Sequence, residues 1–252
     1  MSFPKDFTLP AIVNWSAQRY YTSPVGGFPG EAQPFTALAI AAPPRSPTNQ
    51  HIVGNFSTIL GNTFGWRLYY SNAWFADIGD GAAGVQLNGS SFGGSSSKWG
   101  MAVLTVQLQT ASLFVNGSLV ASANTAQPAF LPNPTGVCSM GYDVNGAKDP
   151  ASGYMGLTAF GYVPGFAFPD DIVANSFEGI YAAGGQGLFY QTPNFVSIFQ
   201  TRYVNDGEHP PVNNPMVGKL VWPPSHGPGP SFTRSLNPGD NLNVQAFSLP
   251  WA

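Results

Sequence analysis

The sequence predicts an all-β protein, an antiparallel β-sandwich with one short helix and proline-rich terminal extensions. Three observations carry that prediction. First, 30 Gly and 24 Pro punctuate 252 residues, a density of turn formers that cuts the chain into short runs. Second, those runs are apolar and rich in β-branched and aromatic side chains, which suit a pleated, half-buried surface. Third, they recur at close spacing with Gly, Ser and Asn between them, the cadence of stacked antiparallel sheets.

Taken in order, residues 1–34 carry Pro4, Pro10, Pro24, Pro29 and Pro34 among scattered aromatics. Proline fixes the backbone and removes a donor, so this segment reads as an extended arm with a first strand at 11–15. Regular strand signals follow at 35–41, 51–54, 64–70, 73–78 and 84–87. In 65–70, alternation puts Trp66, Leu68 and Tyr70 on one face and Arg67 and Tyr69 on the other, with the first set expected to face the core. The block 98–120 reads as strand, tight turn, strand, then a turn at Asn116-Gly117 into a third strand. That dipeptide supplies the positive φ angles of a two-residue hairpin. Its alternation nominates Val103, Leu113 and Val115 as core residues.

Residues 136–142 form another strand, and 143–150 a polar loop by its turn residues. A strand at 154–163 precedes the one good helix signal, 169–181. There Pro169, Asp170 and Asp171 suit a helix N-terminus, and Ile172, Val173, Phe177, Ile180 and Tyr181 can share a face. Beyond Gly185 the chain turns proline-rich, with strand-like runs at 195–199, 217–221 and 242–247. The organisation expected is therefore an N-terminal arm with a first strand (1–34), a sandwich core (35–184) and a proline-rich C-terminal extension (185–252) that packs on the core or on neighbours.

Composition narrows function. A net charge of −3 leaves no basic field to neutralise phosphates, which argues against nucleic acid. No apolar run reaches membrane-spanning length. Residues 1–6 lack a charged leader followed by an apolar run, so no signal peptide of the usual kind is expected, and a virion or an exported surface assembly suits the composition. The one cysteine, Cys138, lies in an apolar run and reads as a buried structural thiol.

Several motifs in order carry a family resemblance. They are Phe35-Thr36-Ala37-Leu38-Ala39-Ile40, Trp99 opening the strand that leads to Leu113-Phe114-Val115-Asn116-Gly117, Met140-Gly141 before a loop, Tyr154-Met155-Gly156 starting a strand, and Pro169-Asp170-Asp171-Ile172 opening a short helix. Over about residues 35–183 the chain resembles the laminin-G-like branch of the concanavalin A-like lectin/glucanase jelly rolls. The resemblance implies two antiparallel sheets on an aromatic core, and binding of glycans, proteins or further copies, mostly without catalysis. Members sometimes hold calcium at the sandwich rim. An acidic residue often follows the Gly of the late strand in that family, and Gly156-Leu157-Thr158-Ala159 has none, so a calcium cofactor is not favoured.

Catalysis has little to draw on. Glycoside hydrolysis needs a placed pair of carboxylates, and the only glutamates are Glu31, Glu178 and Glu208, in no strand motif. Asp206-Gly207-Glu208-His209 reads as an exposed turn. Asp143, Asn145 and Asp149 are weak calcium candidates: they offer oxygen donors around a Gly but lack a downstream bidentate Glu. Asp77 and Asp80 form another oxygen pair, with a hairpin turn at Asp80-Gly81 as the plainer reading. For sugar, which stacks on rings and hydrogen-bonds to amides and carboxylates, the candidates are Tyr69, Trp74, Tyr142, Asp143 and Asn145. The competing reading makes Tyr69 and Trp74 core or interface residues.

Two functions are expected from these features. One is a non-catalytic surface adhesion or carbohydrate-binding module, with a glycan or other surface ligand as partner. The alternative is a structural virion protein, a phage decoration or tail component, or a repeating subunit of an external fibre, acting through self-association or neighbouring subunits.

Overall fold

The computed structural model describes residues 6–13, 15–17, 20–22, 34–89 except 45 and 47, 98–125, most of 130–177, and the strands at 197–200, 233–235 and 243–250. The expected strand at 217–221 and the turn at 206–209 lie outside the described residues.

Along the chain come β1 (Asp6–Val13), β2 (Tyr20–Thr22), β3 (Phe35–Ala42), β4 (Gln50–Gly54), β5 (Ser57–Ile59), β6 (Asn62–Phe64), β7 (Trp66–Tyr70), β8 (Trp74–Ile78) and β9 (Val85–Asn88). They are followed by β10 (Gly100–Gln107), β11 (Thr110–Val115), β12 (Ser118–Asn124), β13 (Ser139–Met140), β14 (Gly156–Pro164), β15 (Ser197–Gln200), β16 (Thr233–Ser235) and β17 (Asn243–Pro250). The first sheet runs β12-β11-β10-β3-β14-β1-β17, with β15 also on β14; the second runs β16-β2-β13-β4-β7-β8-β9; β5 and β6 form a separate hairpin. Every pairing among the described strands is antiparallel, and the architecture is the sandwich expected.

One continuous core fills the space between the sheets. Ala37, Ala39, Ala102, Leu104, Leu113 and Val115 come from the first sheet, and Ile52, Trp66, Leu68, Tyr70, Trp74 and Ile78 from the second. Small alanines opposite large rings let the layers interdigitate at interior density. The hairpin of β11 and β12 turns at Asn116-Gly117 with φ of 51° and 79°, the doubly positive backbone expected of that dipeptide.

Val103 departs from its expected place. It is fully buried, but its register partners are Leu38 and Phe114, so it lies on the opposite side of the first sheet from Leu104 and Leu113. That second side is also covered. Asp170, Asp171, Val173, Ala174 and Phe177 are helical, and a Cβ placed on Gly117 would meet Phe177 and Ala174. A strand buried on both faces defeats a reading by alternation alone. The expected strand 64–70 is likewise two pieces. Gly65, at φ 75°, breaks it, so β6 pairs with β5 while β7 joins the second sheet.

Candidate functional site

The outer face of the second sheet is where polar chemistry gathers. Because side chains alternate, the strands that send Trp66, Leu68 and Tyr70 inward send Arg67 and Tyr69 outward. Cross-strand register then builds two rows. Asn88, Phe75, Tyr69 and His51 stand side by side, as do Gln86, Asp77, Arg67 and Gly54. Gly54 has φ 152°, and a Cβ there would collide with the Arg67 backbone, so only glycine lets β4 approach β7 at this point.

Arg67 is the hub. Its Nε donates to Asp77 Oδ2 at 2.8 Å, and Nη2 lies 2.7 Å from the same oxygen. Nη1 donates to Asp143 Oδ2 at 3.1 Å and to Asp149 Oδ2 at 2.8 Å. The guanidinium also sits 4.5 Å from the Tyr69 ring centroid and 5.4 Å from that of Phe56. Burial would lower the Arg67 pKa, but the carboxylates of Asp77, Asp143 and Asp149 outweigh it and hold the group above its ordinary value. The Tyr69 hydroxyl donates to Asp77 Oδ1 at 3.3 Å and accepts from Gln86 Nε2 at 2.7 Å. Burial, then the Asp77 carboxylate, pushes its pKa up.

The loop over Arg67 is held by its own chemistry. It begins at Gly141, whose φ of 83° and closeness to the Trp15 ring exclude a side chain. Asp143 and Lys148 exchange backbone hydrogen bonds at 3.1 and 3.2 Å, and Asp143 Oδ1 accepts from Gly146 N at 2.9 Å. Asn145 braces the loop from the side: its Oδ1 accepts from Val137 N at 3.1 Å and its Nδ2 donates to Val137 O at 2.8 Å. The Asp149 carbonyl accepts from His51 N at 2.8 Å. His51 is buried, with Nε2 3.0 Å from Ser139 O. Burial holds its imidazole below the ordinary histidine value despite the opposing pull of Asp143.

The structure therefore brings together Tyr69, Asp143 and Asp149 around Arg67. Tyr142 is half-buried beside them in sequence, its ring 5.2 Å from that of Tyr20. Trp74 does not belong to this group. It opens β8 on the inward row, is fully buried, and packs edge-on to Tyr70 at 5.8 Å, so no ligand can stack on it. Nor do the calcium candidates converge. Asn145 is turned to Val137 while Asp143 and Asp149 are turned to Arg67, and among the described residues no acidic or histidine group is arranged to hold a metal ion. Asp80 braces the β8–β9 loop by accepting from Ala82 N, Gly84 N and the Thr125 hydroxyl, as the turn reading expected.

Sequence reading missed Phe75, Gln86 and the role of Arg67. Phe75 lies against Tyr69, centroids 5.1 Å apart and rings 14° from parallel. It is half-buried, while Gln86 and Asn88 on the edge strand are exposed. The available signal was an arginine inside a strand of a chain with only 8% charged residues, because such a group needs partners. Cys138 is buried as expected, and burial raises its pKa.

Two antiparallel sheets sharing one core, with stacked rings and amides on an outer face, define a lectin-like jelly roll. The chain belongs to the concanavalin A-like lectin/glucanases superfamily, and residues 16–159 match its Laminin_G_3 group. No curated protein sequence matches the chain. Among solved structures, a candidate carbohydrate-binding protein of Bacteroides ovatus superposes with a TM-score of 0.57 at 14% identity, covering 97% of this chain and 62% of that one. The CBM40 of the Ruminococcus gnavus IT-sialidase, bound to α2,6-sialyllactose, gives 0.49 at 16% identity, over 66% of this chain and 95% of that one. The binding domain of botulinum neurotoxin DC, in complex with rat synaptotagmin II, gives 0.45 at 12% identity, over 60% and 36%.

Proposed function

We propose that this chain is a non-catalytic carbohydrate-binding module that attaches to a glycan-bearing surface through the outer face of the second sheet. The observation that carries the reading is the Phe75 ring, stacked on Tyr69 and flanked by exposed Gln86 and Asn88. A sugar ring stacks its C–H face on Phe75 while Gln86 and Asn88 bond its hydroxyls. Tyr69 backs the platform, Asp143 and Asn145 hold the loop beside it, and Tyr142 packs on Tyr20 toward β2. The Bacteroides ovatus protein, which shares this fold, supports the reading by its description. Catalysis is not part of it, because Asp77, Asp143 and Asp149 are all turned onto one guanidinium rather than set apart across a scissile bond.

The test is a glycan array followed by calorimetric titration. Saturable binding to at least one saccharide is expected, with Phe75→Ala weakening it roughly tenfold while the chain stays folded by circular dichroism. Absence of binding to every saccharide tried overturns the reading.

A second reading, a structural subunit acting through protein contacts, draws on the other end of the molecule. Leu60 is 99% exposed at the tip of the β5–β6 hairpin and Leu108 53% exposed at the β10–β11 turn. Leu131, also exposed, hydrogen-bonds through its backbone to Gly65 and Gly79 between them. Such an uncharged apolar end suits contact with a neighbouring copy. Light scattering at high concentration decides it: concentration-dependent oligomers that Leu60→Asp disperses support it, and a monomer throughout rejects it.

A further inference from the structure

We propose that the outer face selects uncharged saccharides and rejects carboxylated or sulfated ones, an inference that rests on the glycan-binding reading above. It follows from how charge is spent around Arg67. Recognition of an anionic sugar needs a donor cation with N–H groups to spare. Arg67 offers little outward: four of its five N–H groups are engaged, those of Nε and Nη2 by Asp77 and both of Nη1 by Asp143 and Asp149, and the remaining Nη2 hydrogen sits on a side chain only 6% exposed with the rings of Tyr69 and Phe56 over the guanidinium.

The charge balance points the same way. One guanidinium faces three carboxylates, a formal surplus of two negative charges. His51 adds no cation, since burial keeps the imidazole neutral near pH 7. Lys148, exposed on the covering loop, is the one further cation described there and halves the surplus.

The surplus also defines what is welcomed. Asp77 and Asp143 are about as buried as Arg67, at 9% and 2% side-chain exposure, so the acid that offers an acceptor toward solvent is Asp149, at 16%. Carboxylate oxygens accept hydrogen bonds and cannot donate them, so they match sugar hydroxyls and repel sugar carboxylates or sulfates. The face thus has stacking surface and acceptors for a neutral ring, and no available cation among its described residues for an anionic substituent except Lys148.

The experiment titrates the full chain with neutral oligosaccharides, including lactose, and with each one's sialylated, uronate or sulfated counterpart, at low and at high salt. Neutral forms are expected to bind about fivefold or more tightly than their acidic counterparts at low salt, with the gap narrowing as salt screens it. Asp149→Asn narrows the gap and Lys148→Glu widens it; both substitutions keep side-chain size close to that of the parent, and Lys148 is exposed. Acidic counterparts binding as well as or better than neutral ones overturn the inference while leaving glycan binding intact. A neutral preference unmoved by salt and by both variants overturns the charge argument. Failure of every saccharide to bind overturns the parent reading along with it.

Discussion

The two sides of β7 and β8 are both buried, yet they are buried by opposite means. Inward, Trp66, Leu68, Tyr70, Trp74, Ala76 and Ile78 lose water to hydrocarbon and aromatic neighbours in the shared core. Outward, Arg67, Tyr69 and Asp77 are nearly as inaccessible, at 5%, 3% and 6% exposure, but they are satisfied by ion pairs and hydrogen bonds under a polar loop. The lesson is that burial does not specify the force. Apolar burial is indifferent to pH and salt, whereas a buried charge cluster stabilises only while every partner is present and correctly charged.

The largest effect should come from the inward side. Trp74→Ala removes a fully buried ring beside Tyr70 and should cost about 4 kcal/mol, by transfer and by the cavity left behind. Chemical denaturation at two pH values and two salt concentrations should give the same loss in all four conditions. A loss that varies strongly with salt would erase the distinction between the two sides.

Arg67→Met should follow at about 3 kcal/mol, because three carboxylates are left facing one another without their shared cation. Here salt matters: high ionic strength should recover part of the loss. Converting Asp77 and Asp143 to Leu in the same chain should recover more, since only the more exposed Asp149 then remains and a buried cluster replaced by apolar groups is often neutral. If Arg67→Met behaves as Trp74→Ala does under salt, the outer side is packing after all.

Tyr69→Phe isolates one hydrogen-bond link and should cost about 1 kcal/mol by removing the bridge from Gln86 to Asp77. Its pH signature is on the alkaline side. The folded phenol has a pKa above the ordinary 10.0, so the unfolded chain gives up its proton first and stability falls as pH rises through that value. Urea melts from pH 9 upward should show part of that decline missing in Tyr69→Phe.

How far the sequence reached can be read off the same strands. Alternation in 65–70 assigned both rows of β7 correctly because one face is uniformly apolar. The Asn116-Gly117 hairpin was legible because its chemistry is local. Trp74 was ambiguous for a physical reason: an aromatic ring suits a core and a sugar platform equally, and only the register pairing it with Tyr70 assigns the side. The hairpin β5–β6 escaped because its two-residue turn is Leu60-Gly61, at φ 51° and 86°: the glycine suits it, but a leucine in the first positive-φ position hides the Asn-Gly type of signal. Asp143 and Asp149 reach Arg67 from 76 and 82 residues away, a juxtaposition no local pattern encodes.

The smallest effect is the most specific to the outer side. Burial depresses the His51 pKa below 6.5, so the unfolded chain binds its proton first as pH falls. Stability should therefore fall as pH drops through 6.5, by less than about 1 kcal/mol between pH 7 and pH 6. Asp143 and Asp149 pull the other way and Arg67 assists, yet desolvation dominates because the ring is wholly buried. The inward side holds no titratable group near neutrality among the described residues, so it contributes nothing to this slope. His51→Gln, compared with the parent chain by urea melts across pH 5–8, should flatten the acid limb. A slope of unchanged steepness would place the acid sensitivity elsewhere and detach His51 from the electrostatics of the outer face.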